Sequence, residues 1–301
     1  MENTLTQLSD ALAGAVERVA DSAVVVHGRM RASSSGVIWK PGVIVTADHA
    51  IQSDEVQVRL PDGTEAKASI AGRDRATDIA VLEVEGANRT PQFIKDAAAL
   101  KAGNIAITVG RTDGGVTATM GIISTVGGPW RTWRGGLLDR FIRLDVALYP
   151  GSSGAAVADA NGAVIGIATA GLSRTSAIAI PQTTVDLVVG ELLAKGHIAR
   201  PYLGVGLQPV PLPEHLKNKV GSKQEAGVIV LSVEPGGPAD SGGLIVGDIV
   251  VNLAAREVSD TDDMQAAIAS ARTGEAVAVK ILRGGELREM DVKVGERPRK
   301  G

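Results

Sequence analysis

His49, Asp78 and Ser153 are the residues of this 301-residue chain whose types and order could do covalent chemistry. His49 ends Val45-Thr46-Ala47-Asp48-His49, Asp78 lies in Thr77-Asp78-Ile79-Ala80, and Ser153 lies in Gly151-Ser152-Ser153-Gly154. Amide hydrolysis needs a nucleophile, a base to take its proton, a group that holds the base in one tautomer, and donors for the developing oxyanion. A serine, an imidazole and a carboxylate fill the first three roles, and His, Asp, Ser is one of the chain orders in which such triads occur. Two serines compete for the nucleophile. Gly151 and Gly154 allow a tight turn that aims backbone N–H groups at a carbonyl oxygen. The donors would be the N–H groups of Gly151 and Ser153. Taken singly, each motif has an ordinary explanation: a surface turn, a structural histidine near a strand end, an aspartate opening a strand. Their conjunction in this order is the signal.

Composition narrows the field. There is no cysteine, which removes disulfides, thiol nucleophiles and cysteine zinc sites without naming a redox compartment. The four histidines, His27, His49, His197 and His215, show no paired helical spacing, so neither a metal nor another cofactor is expected. A net charge of −3 provides no broad basic field, which argues against nucleic acid and anionic lipid as partners. No apolar run is long enough to span a bilayer, and no basic segment followed by an apolar core opens the chain, so no membrane insertion is expected. As written, the sequence leans to the cytoplasm. The bacterial periplasm or cell envelope is the alternative if a targeting segment has been removed.

The positioning elements follow from hydrophobic period. Residues 4–20 read as an amphipathic helix with Leu5, Leu8, Leu12, Ala15, Val16 and Val19 on one stripe and Thr4-x-x-Gln7 as a capping box. From about residue 22 to 180, short β-like runs alternate with turns, which argues for an all-β barrel or sandwich. Pro61-Asp62-Gly63 and Asn161-Gly162 mark hairpin reversals between antiparallel neighbours. A helix capped by Thr183 or Thr184 carries Val185, Val188, Val189, Leu192 and Leu193 and stops at Gly196. Pro201 makes 197–201 a short linker. The remaining strands and a helix from about Asp262 to Arg272 suffice for a second, smaller domain, with the polar loop Pro209–Glu225 left unpatterned. The segments are therefore an N-terminal helix at 1–21, a β domain at 22–196, the linker, and a mixed domain at 202–298.

These motifs resemble the HtrA/Deg branch of trypsin-like serine proteases over nearly the whole chain. Val43–Ile51 resembles the family's histidine segment, Arg75–Val84 its aspartate segment, and Asp145–Ala170 its serine segment. Ser153 is preferred over Ser152 through this resemblance, because the family's serine turn has a glycine two positions before the nucleophile and another directly after it, as Gly151 and Gly154 stand here. Tyr202-Leu203-Gly204-Val205 and the run from Gly236-Gly237-Pro238-Ala239 to Gly247-Asp248-Ile249 resemble a PDZ domain. The resemblance implies a mostly β fold, a chymotrypsin-like double β-barrel followed by an α+β PDZ domain, with catalysis at the seam of the barrels. It implies a peptidase for unfolded or damaged proteins, with a primary pocket around Ala147, Ala168 and Ala170 that suits small or medium apolar side chains. It also implies capture of polypeptide C-termini beside Val205–Leu207. Backbone amides around Tyr202, Leu203, Gly204 and Val205 would hold the terminal carboxylate, and Met264 and Ile268 would line the side-chain pocket. A homotrimer is the assembly implied, although no aromatic residue precedes Trp39. Some positions depart from the family pattern: Ala155 and Ala156 replace a glycine and a proline, Ser152 an asparagine, and Ala255 interrupts an Asn-Gly turn. The competing expectation is an idle protease-fold scaffold or holdase that binds polypeptides through its PDZ domain.

Overall fold

The computed structural model describes residues 3–29, 32–220 and 224–296, so residues 1–2 and 297–298 of the outer expected segments lie outside the described residues. The chain divides into two units, one running to Ile198 and one starting at Ala199.

The first unit opens with helix α1 (Thr4–Ala20). Strands β1 (Ala23–His27), β2 (Ser34–Lys40), β3 (Val43–Ala47), β4 (Val56–Arg59), β5 (Glu65–Asp74) and β6 (Ile79–Glu83) close into an antiparallel barrel of order β1-β2-β3-β6-β5-β4. A second closed barrel follows in the order β11-β14-β13-β12-β7-β8. Its strands are β7 (Ile105–Thr112), β8 (Gly115–Gly127), β11 (Phe141–Asp145), β12 (Ala156–Ala158), β13 (Val164–Thr169) and β14 (Ala177–Pro181). A small hairpin, β9 (Trp130–Arg131) and β10 (Leu137–Leu138), projects between β8 and β11. Helix α2 (Gln182–Lys195) closes the unit and stops at Gly196, whose φ of 73° supplies the left-handed cap.

The sequence builds barrels because its strands are short and rich in β-branched residues, which fit a pleated surface with cores on both faces. Val24, Val26, Ile38, Ile44 and Leu82 fill the first barrel, and Ile123, Ile142, Val157 and Ile165 fill the second. A third cluster, with Val37, Val45, Ile107, Val109 and Ile167, joins the barrels to α1 and α2. Each such fully buried side chain contributes about 1.5–3 kcal/mol. Both marked reversals form. Asp62 accepts from Thr64 N at 2.9 Å between β4 and β5, and Asp159 accepts from Asn161 N at 2.8 Å between β12 and β13.

The second unit is α+β. Its main sheet runs β16 (Val205–Pro211), β17 (Ala226–Val233), β18 (Ile249–Leu253), β20 (Ala276–Arg283) and β21 (Glu286–Lys293), with β19 (Arg256–Glu257) on β18. Strands β15 (Pro201–Tyr202) and β22 (Gly295–Glu296) form a separate pair. Among the described residues, helices α3 (Glu214–Val220), α4 (Pro238–Ser241) and α5 (Thr261–Ser270) complete it. Strand β16, which contains Pro209 and Pro211, is an open edge of the sheet. Asp248 is fully buried and takes a two-pronged ion pair from Arg283, both contacts at 2.7 Å. That pairing accounts for the Gly-Asp of the sequence pattern: it is a structural anchor.

Several expectations need correction. Helix α1 is capped by Asn3, whose Oδ1 accepts from Leu5 N at 3.1 Å, in place of a Thr4-Gln7 box. Its stripe is covered only toward the C-terminus, where Ala15 and Val19 are buried while Leu5 and Leu8 are exposed. Thr183 and Thr184 do not cap α2; Pro181 occupies that position, and both hydroxyls donate to Asp139. The stretch Pro209–Glu225 contains the end of β16 and helix α3, because Leu212, Leu216 and Val220 pack at helical spacing against Val251 and Leu282. Ala254 and Ala255 make their turn with φ of 49° and 61°, both in the left-handed region that favours Gly or Asn.

Candidate active site

His49 sits on a single helical turn, Asp48–Ala50, at the end of β3. Arg73 from β5 braces that turn: its Nε donates to Asp48 Oδ1 at 2.6 Å and its Nη2 to Ile51 O at 2.7 Å. Asp48 N donates to Asp78 O at 3.0 Å, and Arg29 donates to His49 O. The turn carrying the imidazole is therefore tied to its neighbours through main chain and side chain.

Asp78 precedes β6 with φ of 60°, a left-handed conformation that costs a non-glycine residue about 1–2 kcal/mol and that Asp tolerates better than most. Its carboxylate is fully buried. It accepts from His49 N at 3.0 Å, from His49 Nδ1 at 2.8 and 3.0 Å, and from the Thr169 hydroxyl. Because an ionised carboxylate only accepts, Nδ1 carries the proton, and Nε2 is left with its lone pair. Charge-assisted bonds of this kind are each worth about 1.5–3 kcal/mol, enough to offset the backbone strain.

The serine loop belongs to the second barrel. Gly151 and Gly154 have φ of 90° and 88°. Gly154 N donates to Ala168 O at 2.9 Å, and Ser152 N to Tyr149 O at 2.9 Å. A Cβ on Gly154 would lie 2.1 Å from Ser35 O and 2.6 Å from Thr46 Oγ1, so the loop rests directly on β2 and β3. A Cβ on Gly171 would lie 2.7 Å from His49 Nδ1 and 2.6 Å from Asp78 Oδ2, so the chain leaving β13 crosses the edge of the imidazole. These two glycines bring the serine loop and the His-Asp pair to one seam. Ser153 is half-buried; among the described residues its hydroxyl makes no hydrogen bond, and the N–H groups of Gly151 and Ser153 donate to no acceptor.

A cleft of about 720 Å³ opens beside the seam, lined by Trp133, Val146, Leu148, Ala170, Leu172 and Arg174 among others. Of the three residues expected in a primary pocket, Ala170 lines this cleft. Ala147 does not, since the alternating chain aims Val146 and Leu148 into it and leaves Ala147 exposed. Ala168 lies in the core of the second barrel. In the second unit, Gly204 has φ of 80°, Leu203 is buried, and Tyr202 and Val205 are half-buried. Met264, expected in the peptide pocket, is fully buried in the core cluster that also holds Val228 and Val279; Ile268 is half-buried against the same cluster. Among the described residues no three His, Cys, Asp or Glu gather to hold a metal, and no helix is long and apolar enough to cross a membrane.

Sequence reasoning missed Thr169, Arg73 and Ser35. Thr169 had a faint signal: a buried polar residue closing an apolar strand just before Ala170-Gly171. Arg73 and Ser35 had none, as they act through contacts with segments distant in sequence.

Comparison with known proteins agrees with this architecture. Family models of the trypsin-like peptidase domain and of the PDZ domain match residues 34–167 and 201–294. A probable periplasmic serine endoprotease DegP-like of Brucella suis is 34% identical over 282 residues, covering 90% of this chain and 54% of that protein. The chain thus spans about half the length of that relative. A serine protease Do-like HtrA of Lactobacillus helveticus is 34% identical over 299 residues, covering 91% of this chain and 71% of that protein. Among solved structures, the HtrA-type protease AlgW with decapeptide matches with a TM-score of 0.77 at 29% identity, over 96% of this chain and 99% of that chain. The serine endoprotease from Yersinia pestis matches at 0.77 and 26%, over 99% and 100%. With a double barrel, a following PDZ domain and a relative matched over most of both lengths, the chain belongs to the HtrA family of trypsin-like serine proteases.

Proposed function

We infer that this chain is a serine endopeptidase that cuts unfolded or damaged polypeptides, with Ser153 as nucleophile, His49 as general base and then acid, and Asp78 as the group that orients the imidazole. The observation that carries this reading is the fully buried Asp78 carboxylate on His49 Nδ1 at 2.8 Å, which leaves Nε2 to take a proton at the barrel seam. Ser153 Oγ attacks the scissile carbonyl while its proton passes to Nε2; the resulting oxyanion accepts from Gly151 N–H and Ser153 N–H. Collapse breaks the C–N bond, and the leaving amine takes the proton from Nε2. Water, deprotonated by the same nitrogen, then hydrolyses the acyl-enzyme. The apolar walls of the cleft at Val146, Leu148 and Leu172 support small or medium apolar side chains at the primary site.

Open strand β16 and the Gly204 turn support capture of a polypeptide end by strand addition. Exposed Leu5 and Leu8 on α1 support a homotrimer with this stripe as its contact, which sedimentation of a Leu5→Asp, Leu8→Asp variant tests; a variant that still sediments as a trimer removes α1 from the contact. The Brucella relative is named periplasmic, which supports the periplasm as the compartment of this chain. Fractionation of cells expressing the native gene decides that point.

The test of activity is a fluorophosphonate probe with casein turnover in parallel, each with and without a peptide that binds the PDZ domain. Labelling and turnover lost in Ser153→Ala are expected. A wild type that stays unlabelled in both conditions, yet suppresses aggregation of an unfolded client, reinstates the scaffold.

A further inference from the structure

The side chain of Ser35 lies where β2 of the first barrel meets both β7 and the serine loop of the second. It is fully buried. Its Oγ is 2.9 Å from Gly151 O and 3.2 Å from Arg111 O, and it accepts from Arg111 N at 3.1 Å. A hydroxyl has one proton. With Arg111 N–H satisfying a lone pair, that proton goes to the nearer carbonyl, which is that of Gly151. Gly110 presses on the group from β7: a Cβ there would lie 2.3 Å from Ser35 Oγ.

The Gly151–Ser152 peptide is thereby held at both ends, its C=O by Ser35 and its N–H by Tyr149 O at 2.9 Å. Gly151 itself has no side chain to restrict its torsions and sits at φ of 90°. Anchoring the peptide on its C-terminal side fixes the frame from which the Gly151 N–H projects. Every neighbour of Ser35 on β2 from Ser34 to Trp39 is buried, so an unused hydroxyl here would be a desolvated polar group without return.

We propose that Ser35 is a positioning residue for the oxyanion site: its hydroxyl grips the Gly151 carbonyl across the barrel seam and so keeps the Gly151 N–H aimed at the developing oxyanion. The proposal rests on the peptidase reading above. It differs from a purely structural role in what it affects. Loss of the grip weakens binding of the transition state and spares that of the substrate, and it leaves the His49–Asp78 pair untouched.

The experiment compares wild type, Ser35→Ala, Ser35→Cys and a control, Trp39→Phe, whose indole donates to Asp186 Oδ1 at 2.7 Å elsewhere in the same unit. Steady-state kinetics on a peptide substrate are expressed per site labelled by fluorophosphonate, and thermal midpoints are recorded. Ser35→Ala is expected to lower kcat about 10- to 100-fold, with KM within about twofold and the acid limb of the pH profile unmoved. Affinity for a peptide aldehyde, whose adduct carries the oxyanion, falls in parallel. Ser35→Cys, with a weaker donor, falls between. Trp39→Phe loses midpoint and keeps its kcat per site.

A Ser35→Ala enzyme with kcat per site within about twofold of wild type overturns the proposal, as does an equal loss in Trp39→Phe at matched midpoint. Should Ser35→Ala fail to fold, Ser35→Cys is judged by the same thresholds. A wild type that neither labels nor turns over defeats the peptidase reading and the proposal together; an active wild type with an indifferent Ser35 defeats the proposal alone.

Discussion

The two barrels hold their contributions to the candidate site by different means. The first fixes His49 and Asp78 largely through charged groups: Arg73 clamps the histidine turn, and three hydrogen-bond contacts from His49 reach the Asp78 carboxylate, to which Thr169 of the second barrel adds a fourth. The second carries Ser153 on a loop with no charged brace, shaped by Gly151 and Gly154 and seated against the first barrel through Gly154 and Ser35. Electrostatic anchoring holds His49, whereas steric fit holds Ser153. The first kind of hold is specified by particular side chains and the second by the lack of one.

If that contrast holds, substitutions on the two sides should fail differently. The largest effect is expected from Asp78→Asn, which preserves shape but reverses the tautomer preference of His49 and should lower kcat on the order of 10⁴-fold with the thermal midpoint nearly kept. A midpoint collapse would instead make Asp78 primarily structural. Gly154→Ala should do the opposite: its methyl meets Ser35 O at 2.1 Å and the residue holds φ of 88°, so both midpoint and labelling rate should drop, with a stability loss of more than about 2 kcal/mol by denaturant unfolding. A folded, fully labelled Gly154→Ala would show that the loop is not seated by steric fit. Thr169→Val removes one donor from Asp78, and the loss of about 1.5–3 kcal/mol maps onto roughly 10- to 100-fold in kcat with KM unchanged. An unchanged kcat would limit the Asp78 anchor to the first barrel. The smallest effect lies outside the site. Ala255→Gly relieves a left-handed alanine and should raise the stability of the second unit by about 0.5–1 kcal/mol, measured by calorimetry. A neutral result there would mean that the turn strain is relieved elsewhere.

The same contrast explains what could be read from the letters. His49, Asp78 and Ser153 were legible because each is embedded in a contiguous motif and because their order is informative. The hairpins at Pro61-Asp62-Gly63 and Asn161-Gly162 were legible through turn chemistry that acts within four residues. Helix α3 was missed because a short amphipathic turn hides in a polar stretch. Thr169 and Ser35 reach across 91 and 116 residues to Asp78 and Gly151, and no local pattern encodes such a contact. Ala168 and Met264 mark the opposite error. A resemblance transfers positions along a chain, but whether a side chain faces a cleft or a core depends on local register, and here both face the core.

Strand β16 carries a further consequence. Pro209 and Pro211 have no N–H, so two ladder donors are missing beyond Gln208. Val205 to Gln208 is the stretch in which every residue has an N–H, so a chain adding to this edge would find a full set of donors over a short length only, and two copies would lack a long rail along which to stack.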